Sequence, residues 1–231
     1  MTYQINLDEV DVDGAVREAA DAVSGDTRLG FLKKAGLAGG SLVAGGAVLS
    51  AIAAPSALAA GSGRPPAKFG KGDVGILNYA LTLEYLEAAF YNGATAANLP
   101  ISSQAAAFLK IATRDENAHV AFLKSHLGSK AVKSPTFDFK GTNTNAEMFM
   151  KTAEVLENTG VHAYSGQALN IKTPAYVKAA VSILTIEARH AAVIGLLNEP
   201  AGTDITPNGP FDTPLSAAKV LAAVEGTGFI V

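Results

Sequence analysis

Residues 182–197, SILTIEARHAAVIGLL, form an apolar helical pattern with Glu187, Arg189 and His190 set into its middle. Residues three or four apart share one face of a helix. Leu184, Glu187, His190, Ala191 and Ile194 therefore fall on one stripe, while Arg189 points elsewhere. A buried carboxylate is costly unless a partner or a metal satisfies it. The apolar neighbours turn the stripe inward, so something in the interior must require Glu187 and His190.

The segment has a counterpart. TRDENAHVAFL, residues 113–123, places Glu116 and His119 three apart on a stripe with Leu109, Ala112 and Leu123. Two further helical patterns each offer a carboxylate. In LTLEYLEAAFY, residues 81–91, Glu84 is in line with Leu77, Leu81, Ala88 and Tyr91. Its neighbour Glu87 shares a stripe with Ala80 and Leu83 that is also apolar, so Glu84 is preferred and Glu87 stays open as the alternative. In AEVLENTGVHAY, residues 153–164, Glu157 is in line with Met150, Ala153, Gly160, Val161 and Tyr164, whereas the Glu154 stripe includes Glu147, Lys151 and Asn158. The order is Glu, Glu-x-x-His, Glu, Glu-x-x-His.

Helix boundaries are marked by capping residues and breakers. The first pattern runs from Asp73, read as its cap, to Gly93, read as its stop. The second runs from Ser102 or Ser103 to Gly128, and the third starts near Asn145 with Gly160 inside it. The fourth has Thr173 as cap and Pro174 at the first helical position, and it stops before Pro200. Short links join helices 1 to 2 and 3 to 4, which makes each pair an antiparallel hairpin. Residues 129–144 form a much longer link. A 25-residue helix is about 37 Å long, and 16 extended residues can cover roughly 53 Å. That link can run the length of the bundle and start helix 3 parallel to helix 2. The fold class expected is all-α, a four-helix bundle of two hairpins joined by one long crossover, the ferritin-like arrangement. No convincing strand pattern is present, although TFDF at 136–139 suits an extended segment.

Four carboxylates and two imidazoles suit a pair of divalent ions. Carboxylates bridge and neutralise two cations that would otherwise repel, and each histidine adds a neutral nitrogen, a mixed set appropriate to iron or manganese. A Glu from each of two helices with Glu-x-x-His from each of the other two is the pattern of di-iron and di-manganese carboxylate bundles. The chain has no cysteine, which excludes disulfides, iron–sulfur clusters and thiolate zinc sites. Its net charge of -3 gives no basic footprint for nucleic acid. His126 and His162 are read as surface or core histidines, and Tyr85, Tyr91 and Tyr164 as core aromatics with a polar tip. Arg114 and Asp115 are read as a solvated face, with support of a metal ligand as the minor alternative.

Through LTLEYLEAAFY, RDENAHVAFL, LENTGVHAYSG, IEARHAAVI and the tail motif FDTPL, residues 72–231 resemble the ferritin-like superfamily. Within it, the likeness is to the exported ferritin-like domain family that includes plant desiccation-related proteins. The resemblance implies a dinuclear metal site at Glu84, Glu116, His119, Glu157, Glu187 and His190. It does not imply one reaction, since related bundles oxidise iron, reduce peroxide or dismutate it.

The N-terminal 59 residues read as an acidic, sparsely apolar leader followed by an export signal. Basic residues Arg28, Lys33 and Lys34 precede a Gly- and Ala-rich apolar run that ends in Ala57-Leu58-Ala59, an A-x-A cleavage pattern. TRLGFLKK, residues 27–34, is similar to the twin-arginine signal, but Leu29 stands where the second arginine is expected, which leaves the general secretory route open. The apolar run is also long enough to be an uncleaved membrane anchor. Residues 60–71 read as a linker, 72–199 as the bundle, and 200–231 as a tail packing on it. The function expected is an exported, periplasmic or extracellular protein that uses two iron or manganese ions with oxygen or peroxide. Its partners would be the metal ions, the oxidant and the export machinery, with the oligomeric state open. The alternatives are a non-catalytic stress or desiccation protein with a structural metal site, and an iron-binding or storage protein.

Overall fold

The computed structural model describes residues 63–199 and 210–231. The segment read as a leader and export signal lies outside the described residues, as does the first part of the tail. Five α-helices are described: α1 (Gly72–Ala97), α2 (Ser103–Leu127), α3 (Ala146–Gln167), α4 (Pro174–Asn198) and α5 (Ala217–Thr227). The four long ones form the bundle expected from the sequence.

Core composition along each helix fixes the directions. One apolar cluster contains Phe90, Tyr91, Phe108, Phe149, Leu156 and Ile194. The other contains Ile76, Leu81, Leu123, Leu127, Tyr164 and Ile183. α2 and α3 both pass from the first cluster to the second, so they are parallel, and α1 and α4 run the opposite way. This is the outcome of a long crossover between two hairpins. On α2 and α4 the Glu-x-x-His pairs fall between the two clusters.

The crossover is pinned rather than loose. Buried Asn78 donates to the carbonyls of Phe69 and Lys130 at 2.9 and 3.0 Å, and its oxygen accepts from Val132 N at 2.9 Å. Residues 136–139 meet the C-terminus through an antiparallel bridge between Phe137 and Ile230. Around it, Asp138 N donates to Phe229 O at 2.8 Å and Val231 N to Thr136 O at 3.0 Å. Beside this bridge, α5 buries Ala217, Val220, Leu221 and Val224 in the Phe90 cluster. Burying each valine or leucine of this kind contributes about 1.5–3 kcal/mol, and Ala217 less.

Two boundary readings require correction. Asp73 does not cap α1. Its carboxylate accepts from Lys172 N and Thr173 N at 3.0 and 2.8 Å, ahead of α4, so it ties the start of one helix to the start of another. Thr173 accordingly makes no side-chain cap bond. Gly93 does not stop α1, which continues to Ala97 and ends at Asn98 in the left-handed conformation (φ 49°). Gly93 is there for space: a Cβ at that position would collide with the amide of Asn143 in the crossover. Ser102 and Asn145 do cap α2 and α3, accepting from Ala105 N and Met148 N.

Candidate metal centre

The four long helices bring seven carboxylate and imidazole side chains into the interior. α1 supplies Glu84 and Glu87, α2 Glu116 and His119, α3 Glu157, and α4 Glu187 and His190, all of them buried. Glu84, Glu116, Glu157 and Glu187 expose none of their surface. All six residues singled out in the sequence therefore meet, and Glu87, treated there as the alternative to Glu84, joins them.

His119 Nδ1 stands 3.2 Å from Glu84, 3.1 Å from Glu116 and 3.4 Å from Glu187. His190 Nδ1 stands 3.1 Å from Glu116 and 3.3 Å from Glu157. Only part of this proximity is hydrogen bonding: His119 Nδ1 bonds to Glu84 and Glu116, and the other contacts are unaligned. Glu116 Oε1, Glu157 Oε2, both Glu187 oxygens and His190 Nδ1 are buried with no aligned partner. Each such orphan costs about 1–3 kcal/mol if nothing satisfies it. Atoms that crowd without pairing are aimed at common points between them, where a cation would satisfy them all.

Three overlapping groups emerge. Glu84, Glu116, His119 and Glu187 each place one ligand atom within 4.8 Å of the others. Glu116, Glu157 and His190 form a second group, and Glu87, Glu157 and Glu187 a third. Glu116 belongs to both histidine groups, one oxygen facing His119 and the other facing His190. These buried acidic and imidazole groups can hold metal ions.

Without a cation the pocket must hold protons instead. Burial, with repulsion from neighbouring carboxylates, pushes Glu84 up to about 8 against the pull of its His119 hydrogen bond. The same burial and repulsion raise Glu87 and Glu187 well above the carboxylate range. Glu116 is the exception: burial would raise it, but its hydrogen bond with His119 and the close approach of the His190 ring hold it down at about 2. Burial disfavours the imidazolium forms, yet the surrounding carboxylates keep His119 protonated far above its ordinary range and raise His190 to about 11.

An outer layer orients these groups. His190 Nε2 donates to Asp115 at 3.3 Å, which leaves Nδ1 to face the cluster. Asp115 is thus a support for a ligand, the reading the sequence ranked second. The Tyr91 hydroxyl donates to Glu157 and the Tyr164 hydroxyl to Glu84. Gly160 on α3 leaves room for Glu187, because a Cβ there would lie 2.5 Å from Glu187 Oε2. The two halves are not equivalent. Ile186 occupies on α4 the place of Asp115 on α2, one residue before the glutamate. His119 instead lines a groove of about 640 Å³ between α2 and α4, beside Ala118, Phe122, Ile183 and Ile186.

The remaining candidates stay out. His126 is exposed and stacks on Phe122 with centroids 4.1 Å apart, and His162 belongs to none of the three groups. Glu154 turns away to accept from Asn198 at 2.6 Å. Glu87 had one sequence signal. α1 is apolar nearly all round from Ile76 to Tyr91, and such a helix is buried on every side, so both of its glutamates point inward.

No curated protein matches the chain. The ferritin-like domain model matches residues 72–199, a span that holds α1 through α4 and every candidate ligand described above. With more than half of the 231 residues covered, the chain belongs to the ferritin-like domain family.

Proposed function

We propose that this is an exported redox protein that holds two iron or manganese ions and reacts with oxygen or peroxide. The observation carrying the proposal is the set of buried carboxylate and imidazole atoms without hydrogen-bond partners, gathered from α2, α3 and α4 around Glu116, with Glu84 of α1 grouped beside them. The export part draws on the Arg28, Lys33 and Lys34 cluster, the apolar run and Ala57-Leu58-Ala59.

Bound there, the metal pair supplies the electrons that oxygen or peroxide accepts. The protein does the rest. Glu116 joins the two positions, and Asp115 fixes the ring of His190 so that Nδ1 faces inward. Tyr91 and Tyr164 each engage one carboxylate, of Glu157 and Glu84, and hold it in place. Phe108, Leu109 and Leu123 are buried on α2 near the Glu-x-x-His pair, which keeps bulk water out. The groove beside His119 supports an approach for a small oxidant to the side that lacks an Asp115 equivalent.

The test uses the full chain loaded anaerobically with iron(II) or manganese(II), then given peroxide or oxygen while consumption is followed. Consumption of about one oxidant molecule per metal pair, or continued loss of peroxide where peroxide serves as both oxidant and reductant, is expected, and it should disappear in a Glu116→Ala/Glu187→Ala double variant. Two ions per chain with neither oxidant consumed would overturn the redox reading in favour of a structural site. Uptake of iron far beyond two per chain would identify storage.

A further inference from the structure

The groups around the centre are unequal. The His119 group has four members, Glu84, Glu116, His119 and Glu187, whereas the His190 group has three, Glu116, Glu157 and His190. Glu87 lies between the two groups, with an oxygen within 4.8 Å of ligand atoms of Glu157, a member of the His190 group, and of Glu187, a member of the His119 group. It is 97% buried, at 3% relative exposure. Among the described residues no hydrogen bond or ion pair engages its carboxylate. An ionised carboxylate in that position, packed beside two others, is destabilising unless a cation lies among them, and otherwise takes up a proton. Its position is particular to α1. The α3 helix carries a Glu-x-x-Glu as well, but Glu154 faces away to Asn198 and leaves Glu157 alone inside.

Charge adds a second consequence. Four carboxylates, Glu84, Glu116, Glu157 and Glu187, balance two divalent ions. A fifth leaves one negative charge in excess, which one trivalent ion beside one divalent ion would balance.

We propose that Glu87 is a seventh protein ligand, joining Glu157 and Glu187 on one of the two ions and favouring a trivalent ion there. The inference rests on the dinuclear reading above, and the experiment separates the two. Full-length wild type and Glu87→Gln, which keeps shape and removes charge, are titrated with manganese(II) and with citrate-buffered gallium(III), a trivalent ion without redox chemistry. Wild type should bind two manganese ions. The variant should lose affinity for one of the two by tenfold or more, the scale expected of a ligand-shell change, and should lose more for gallium than for manganese. Crystals of wild type grown with manganese provide a readout independent of how the variant folds. Anomalous scattering should place a Glu87 oxygen roughly 2.0–2.5 Å from one metal peak. A variant that binds both ions as wild type does, or a Glu87 carboxylate touching neither peak, overturns the assignment while leaving the dinuclear site intact. Wild type that binds neither metal overturns the dinuclear reading and the assignment with it.

Discussion

Replacing Gly160 by alanine sets two physical effects against each other. Gly160 lies in the middle of α3, where alanine is favoured over glycine by about 0.8–1.0 kcal/mol. On helix propensity alone the variant should be more stable. The new Cβ, however, would lie 2.5 Å from Glu187 Oε2 and 3.2 Å from its Cδ. Ordinary contact begins near 3.4 Å, so the carboxylate must retreat by roughly 0.9 Å, far beyond the tolerance of about 0.2 Å in metal–ligand distances. In the metal-free chain neither oxygen of Glu187 has an aligned partner, so it can swing aside at small cost. Gly160→Ala should therefore leave metal-free stability within about 1 kcal/mol of wild type, a shift of roughly 2–4 °C in Tm. Metal affinity should fall 10–100-fold, or about 1.4–2.7 kcal/mol. Chelator competition with manganese and thermal unfolding with EDTA measure the two quantities on the same samples. Wild-type metal affinity in Gly160→Ala would refute the placement of Glu187 as a ligand.

Three further outcomes follow from the same geometry. The carboxylates raised by burial, Glu84 near 8 and Glu87 and Glu187 also upward, favour the folded metal-free state only while protonated. Their stabilisation is present below about pH 4.5 and is lost as pH rises through the folded values. The raised values of His119 and His190 act in the same direction above about pH 6.5. Metal-free stability should therefore fall by several kcal/mol between pH 5 and pH 8. Saturating manganese should abolish that fall. Urea unfolding at both pH values checks this, and a flat or rising metal-free profile would contradict it. Asp115→Asn should weaken one of the two ions 10–100-fold by releasing the His190 ring, with the helical content unchanged by circular dichroism; two unaltered affinities would remove Asp115 from its supporting role. Ala179→Trp, which fills the groove between α2 and α4, should slow peroxide consumption severalfold at unchanged metal content, and an unchanged rate would show that the oxidant arrives elsewhere.

The bundle and most of its centre were legible in the sequence because the signals were periodic. Glu116 with His119, and Glu187 with His190, stand at helical spacing inside apolar stripes, and the crossover length alone fixed α3 parallel to α2. Glu84 and Glu87 could not be separated by stripe, since both stripes are apolar. The question dissolved once α1 proved buried on all sides, with both carboxylates inside. Asp73 and Gly93 were misread for a different reason. Each fits a local rule, yet each is used across the fold, Asp73 at the start of α4 and Gly93 against Asn143. The role of Asp115 was likewise tertiary, because its partner His190 lies 75 residues away.

If the buried carboxylates and histidines hold a metal pair, the purified protein carries a fixed number of ions per chain. Full-length protein purified from its native host would be analysed for every transition metal, beside the Glu116→Ala/Glu187→Ala variant handled identically. Two iron or manganese ions per chain, absent from the folded variant, is the result predicted here. A well-folded wild type that takes up no metal, even when reconstituted with both ions, would contradict it.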